Sequence, residues 1–212
     1  MQSKPYGVLI ADVVASSQQT GLRASLDERL GAASGAHLGA GLVRLPYAVT
    51  AGDEFQSLAV RVGAIPRMIL DLRRRFQPLQ LRIGVGIGAV QGPVRAPVNR
   101  LAGQAFEFAR QAVTDTREAR KYPVLTLFRS KAAEFDETAN LVYGLHDTLV
   151  SGTTAKQWAT IAAYLDQNRV DYTARAMGID RSTASRNLKR GHFWQMVETA
   201  TIMERLLERS FR

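Results

Sequence analysis

Apolar positions along the chain fall into two periods, and the switches between them mark the elements. Residues 6–14, YGVLIADVV, form an apolar run broken only near its end, which predicts a buried strand ending near Asp12. Leu22, Leu26, Leu30 and Ala33 recur at helical spacing, with Gly31 and Gly35 weakening that helix. RLPYAVT and EFQSLAV read as a hairpin around Gly52. Ile65, Ile69, Leu72 and Phe76 predict a second amphipathic helix, closed by Arg73, Arg74 and Arg75, whose charges suit the negative end of the helix dipole. LQLRIGVGIGAV is a long strand with Leu81, Ile83, Val85 and Ile87 on one face and Gly84, Gly86 and Gly88 on the other. A glycine face admits close approach of a packed helix or of a ligand. Ala102, Ala105, Phe106, Ala109 and Val113 give the next helical stripe, and PVLTLF another strand.

This order, with helices between strands and one shared hairpin, predicts an α+β fold of the ferredoxin-like type over residues 1–150. Strand signals stop near residue 130. SGTT at 151–154 supplies a Ser/Thr helix start, so residues 151–212 are expected to form a separate all-α domain. Within it, VDYTARAMGIDRSTASRNLKRGHFWQMV has the spacing of a helix-turn-helix. Ala174 sits where two helices cross, Gly178 at the turn, Ala184 on the returning helix, and Asp180 or Ser182 at its cap.

Composition adds that 46% of the 212 residues are apolar, enough for a packed core. The absence of cysteine excludes disulfides and thiolate metal sites and agrees with a reducing cytoplasm, the expected location. The short apolar run at the N-terminus reads as a strand rather than a signal peptide or membrane span. The net charge of +9 points toward a polyanionic partner. Its distribution sharpens this: residues 181–190 carry four basic side chains and no acid. Arg181, Ser182, Thr183, Ser185, Arg186, Asn187, Lys189 and Arg190 are therefore candidate contacts to double-stranded DNA, with arginine suited to guanine and asparagine to adenine. One such unit contacts few phosphates, which leads to the expectation of a homodimer. Trp158, Phe193 and Trp194 read as core rather than as a base-stacking platform. His37, His146 and His192 are scattered and read as structural or exposed.

The hairpin VTAGDEFQSL poses the chemical question, because Asp53 and Glu54 follow directly on Gly52. In a ferredoxin-like sheet the end of the first strand lies beside this hairpin, so Asp12 comes near Asp53. Carboxylates that close repel unless a cation lies between them, and Mg²⁺ or Mn²⁺ suits such a set. An acidic turn whose side chain bonds neighbouring amides is equally ordinary chemistry, and residue types leave both readings open.

The segments IADVVASS, VTAGDEFQSL and LRIGVGIGAV resemble the palm-type core of class III nucleotide cyclases and GGDEF domains. With GQAFEFAR added, the chain is more closely similar to the SatD family, in which a cyclase-like domain is joined to a C-terminal helix-turn-helix. The resemblance implies metal held by Asp12 and Asp53, with Glu54 as an extra ligand, and a nucleotide bound nearby. Arg82, Arg110 and Lys121 are candidate phosphate partners, as are Arg95 and Arg100. One departure stands out: where cyclases carry an Asn and, four residues on, an Arg that stabilise the transition state, this chain has Glu107 and Gln111. Losing such an arginine costs on the order of 10³ or more in rate. The expectation is thus a DNA-binding regulator whose palm-like domain binds a nucleotide through a divalent ion. The alternative is an active nucleotidyl cyclase or oligonucleotide synthase with a helical dimerisation tail.

Overall fold

In a computed structural model, which describes residues 4–16, 22–118 and 123–212, the two apolar periods become a five-stranded sheet covered by helices. β1 (Tyr6–Val13) leads into α1 (Leu22–Gly39), then the hairpin β2 (Ala48–Ala51) and β3 (Glu54–Leu58). α2 (Ile65–Arg75) and β4 (Leu81–Gly88) follow, then α3 (Gln104–Asp115) and β5 (Thr126–Arg129). The strand order is β2-β3-β1-β4-β5. β1 is antiparallel to both β3 and β4, and β5 is added parallel to β4. Through β4 this is the ferredoxin-like βαββαβ arrangement expected from the pattern, and the α+β class holds.

The two faces of β4 are covered by different helices. Leu81, Ile83, Val85 and Ile87 join Leu9, Ala11 and Val13 in the main core, against Leu26 and Leu30 of α1 and Ile65, Met68, Ile69 and Leu72 of α2. The glycine face takes α3. A Cβ at Gly86 would lie 2.0 Å from the Ala105 carbonyl oxygen, and one at Gly84 would lie 2.2 Å from that of Ala109. The close approach that the glycines allow is therefore that of a packed helix. α3 begins at Gln104, so Ala102 falls outside it and instead bridges Gln91.

The rest is helical: α4 (Ala133–Gly152), α5 (Ala155–Gln167), α6 (Val170–Met177), α7 (Arg181–Arg190) and α8 (Phe193–Ser210). α4 flanks β5 and closes its outer edge. The Asn140 side chain accepts from the Phe128 amide at 2.7 Å and donates to the Phe128 carbonyl at 3.1 Å. Asp147, fully buried on α4, accepts from Arg73 of α2 at 2.7 Å and from the Leu125 amide at 2.7 Å. This joins α2, α4 and the start of β5 through one buried ion pair. α4 ends at Gly152, and Thr154 starts α5 with a reciprocal cap to Gln157, matching the Ser/Thr signal in SGTT.

α5, α6 and α7 pack on one another around Trp158, Ile161 and Leu188, with Phe193 and Met196 of α8. α8 then returns to α2, placing Met203 and Leu207 in the main core. One expected apolar role differs: Trp194 is 51% exposed, its ring lying edge-on to Tyr164 and Phe193. On the same helix Ile202 is 47% exposed and Met203 takes the inward position.

Candidate functional site

The end of β1 places Asp12 directly across from Arg82 of β4 in the antiparallel register. Side chains so paired share a sheet face, and Arg82 Nε donates to Asp12 Oδ1 at 2.7 Å. The other oxygen, Oδ2, accepts from Arg117 Nη2 at 2.5 Å and Nε at 3.1 Å. Asp12 is 1% exposed, so its charge is met almost wholly by these two guanidiniums.

Across the hairpin, Ala51 pairs with Glu54 and the turn is made by Gly52 and Asp53. Gly52 has φ 59, a conformation glycine adopts at no steric cost. Asp53 Oδ2 accepts from the Val13 amide at 3.0 Å, which pins the hairpin tip to the strand end beside Asp12. Glu54 Oε1 accepts from Arg110 of α3 at 2.9 Å and from the Thr50 hydroxyl at 2.7 Å. Arg117 lies within electrostatic reach of all three acids. Its hydrogen bond to Asp12 is the main cause raising its pKa further, with the Glu54 and Asp53 charges adding to it.

The fold thus assembles Asp12, Asp53, Glu54, Arg82 and Arg110 at one end of the sheet, where β1 finishes and the β2–β3 hairpin turns. Sequence reasoning missed Arg117. The signal was partial: Arg117 is seven residues after Arg110, a spacing of two helical turns, but it lies in the turn just past the end of α3. Lys121 lies outside the described residues. Arg95 and Arg100 are exposed on the connection between β4 and α3. Glu107 and Gln111 are exposed on α3, while Arg110 is the α3 side chain that reaches the hairpin.

A divalent ion at Asp12, Asp53 and Glu54 does not fit this arrangement. Both Asp12 oxygens are taken by guanidiniums, Glu54 is paired with Arg110, and Asp53 carries a backbone amide. Among the described residues no group of three or more His, Asp or Glu side chains is placed to hold a metal. The cations paired with Asp12 and Glu54 are arginines, and Asp53 is held by the backbone.

A second candidate surface is α7. α6 closes at Gly178, whose φ of 63 makes the reversal into α7, and Asp180 takes the N-cap position without a side-chain bond. Ala184 and Leu188 face inward, while Arg181, Ser182, Ser185, Arg186, Lys189 and Arg190 are exposed. Two expected contacts differ. Asn187 is half-buried and donates to Thr160 of α5 at 3.1 Å, so its amide braces α7 against α5. Thr183 is half-buried and accepts from Arg186 at 3.2 Å.

No helix among the described residues is long and apolar enough to cross a membrane. No curated protein matches the chain. Three similar solved structures are a guanylyl cyclase, an adenylyl cyclase and a regulator. The dimeric guanylyl cyclase domain of a RhoGC fusion protein from the aquatic fungus Blastocladiella emersonii aligns at 15% identity and TM-score 0.43, over 53% of this chain and 74% of that one. A bacterial light-regulated adenylyl cyclase aligns at 17% identity and TM-score 0.42, over 59% and 75%. A regulator of polyketide synthase expression from Bifidobacterium adolescentis aligns at 15% identity and TM-score 0.29, over 96% and 82%. At these scores they carry no argument about activity, and the fold rests on the strand order above. The family model of SatD matches residues 6–200, nearly the whole of the sheet and its helices, and the chain belongs to the SatD family.

Proposed function

We propose that the protein binds double-stranded DNA through α6, the Gly178 turn and α7, acting as a helix-turn-helix with α7 as its recognition helix. The observation that carries this reading is the solvent face of α7. Six polar side chains, Arg181, Ser182, Ser185, Arg186, Lys189 and Arg190, stand exposed on ten residues without one acid, while Ala184 and Leu188 anchor the opposite side. A helix so charged approaches phosphates favourably and presents guanidiniums to guanine edges. Asn187, bonded to Thr160, acts as a brace in this reading and contacts no base. Residues 151–212 are then the DNA-reading part, and two copies are needed for ordinary affinity.

The test is fluorescence anisotropy with genomic fragments at graded salt. Specific binding should weaken steeply as salt rises. Arg186→Ala should lose about 1–3 kcal/mol. Lys189→Ala should weaken all sequences alike and reduce the salt slope by about 1. Salt-independent binding, or none, sinks the reading.

A nucleotide at this end of the sheet is the second part of the reading, supported by the gathering of Arg82, Arg110 and Arg117 there. Arg110 and Arg117 are each about half exposed, at 53% and 49%, and are the cations a phosphate could draw away from their acids. Calorimetry with ATP and GTP, with and without Mg²⁺, tests it. Heat that depends strictly on Mg²⁺ favours the ion-held mode expected from the sequence, and heat without Mg²⁺ favours the guanidinium mode. Product analysis after incubation with Mn²⁺ separates either from the active cyclase or synthase.

A further inference from the structure

A different part of the molecule gathers four basic side chains around one groove with a single acidic side chain in its lining. Where β1 begins, β3 ends and α8 finishes, a groove of about 410 Å³ opens, within the range of small-molecule sites. It lies at the far end of β1 from Asp12 and apart from α7. Lys4, Arg44, Arg61 and Arg212 line it, with Glu208 the one acidic side chain among the lining residues.

These cations are held in three ways. The Arg44 guanidinium lies 5.5 Å from the centre of the Tyr6 ring and donates to the Val60 carbonyl at 3.4 Å, with no ion pair among the described residues. Lys4 and Arg212 carry no ion pair among the described residues. Arg61 is paired with Glu204, at 2.6 Å, and with Glu208 of α8. Its close seat against Glu208 depends on Gly63, where a Cβ would meet both side chains at under 3 Å.

Like charges converging on one groove repel, and an anion placed between them removes that repulsion. Guanidinium forks match the geometry of phosphate and carboxylate oxygens. The Tyr6 ring fixes Arg44 in place without neutralising it.

We propose that this groove binds a small multivalent oxyanion, gripped by Lys4, Arg44, Arg61 and Arg212. Phosphate groups and clustered carboxylates share the required chemistry, so the test carries one arm for each. The occupant competes with Glu208 for Arg61, which predicts that removing the Glu208 charge strengthens binding.

Isothermal calorimetry on the full chain with inorganic pyrophosphate and, separately, citrate reads the site directly. Saturable heat with at least one of them is expected. Arg44→Ala should weaken it about tenfold, as loss of a charge-assisted contact does, Glu208→Gln should tighten it, and Arg23→Ala, an exposed change on α1, should leave it unaltered. Heat with pyrophosphate alone assigns a phosphate ligand, and heat with citrate alone a polycarboxylate. No heat with either anion overturns the proposal. So does heat that Arg44→Ala and Arg23→Ala leave equal. DNA affinity is not part of the readout, so failure here leaves the helix-turn-helix reading standing, and the reverse.

Discussion

Burying a carboxylate at the end of a strand is costly unless its charge is met, and at Asp12 two guanidiniums meet it. Asp12→Asn keeps the size of the side chain but turns an amide toward Arg82 and Arg117. Breaking a wholly buried pair costs about 3–5 kcal/mol. Because Arg117 is half exposed, urea denaturation should show a smaller loss of about 2–3 kcal/mol. The melting temperature of the native chain should be the same in EDTA as in millimolar Mg²⁺, since guanidiniums already balance the acids; a marked Mg²⁺ stabilisation lost in Asp12→Asn would contradict this. His146 gives a pH dependence. It is 4% exposed, its Nδ1 has no hydrogen-bond partner, and burial holds its pKa below the ordinary 6.5, with the nearby Arg73 charge acting the same way and Asp147 opposing. The unfolded chain therefore takes up a proton there at higher pH than the folded chain does. Stability is full above pH 6.5 and declines as pH falls through the lowered value. Thermal melts at about pH 7.5 and 5.5 should differ in that direction, and His146→Gln should narrow the difference.

Among the elements, the contact of α3 with the glycine face of β4 tolerates the least change. A methyl group at Gly86 meets backbone atoms of α3 on both sides, and neither can yield as a flexible side chain would. Gly86→Ala should thus cost at least the upper end of the about 1–3 kcal/mol of ordinary overpacking, read from the denaturation midpoint, whereas Gly31→Ala, with open space and helical backbone, should stabilise slightly. The same elements show what a sequence reveals. The period-two alternation of β4 and the hairpin around Gly52 were readable because strand faces repeat strictly. Whether helix or ligand filled the glycine face was not, since both need the same missing side chains. α4 left a blurred stripe: its inward residues Phe135, Ala139, Tyr143 and Val150 are interleaved with Leu141 and Leu145, each 66% exposed. In the site, Asp12, Asp53 and Glu54 were legible from the turn and the strand end. Of their guanidinium partners, Arg82 and Arg110 were named as phosphate contacts rather than as partners of these acids, and Arg117 was not named, because residue order does not say which basic side chain folds back onto which acid. The brace role of Asn187 depends on Thr160, 27 positions away, and no local pattern announces it.

At the scale of the whole molecule, the helical half is not hung on a free linker. α8 carries Met203 and Leu207 into the main core, and its Glu204 pairs with Arg61 and Arg67. Arg74 of α2 reaches Asp166 of α5 at 3.3 Å. Shared burial of this kind couples unfolding of the two halves. Both tryptophans, Trp158 and Trp194, lie in the helical half, with Trp158 in one cluster with Leu125 ahead of β5, so their fluorescence reports that half and its junction with the sheet, while far-UV circular dichroism reports the sheet as well. The two signals should trace one urea transition, and well-separated midpoints would show that residues 151–212 unfold independently. The amide of Asn140 has a further consequence at this scale. It satisfies the Phe128 backbone in the direction a neighbouring strand would have to come from, and Asn99 likewise engages Val49 at the opposite margin. A strand from another copy would have to displace these amide side chains at Phe128 or at Val49 before pairing there, which disfavours association by extension of the sheet.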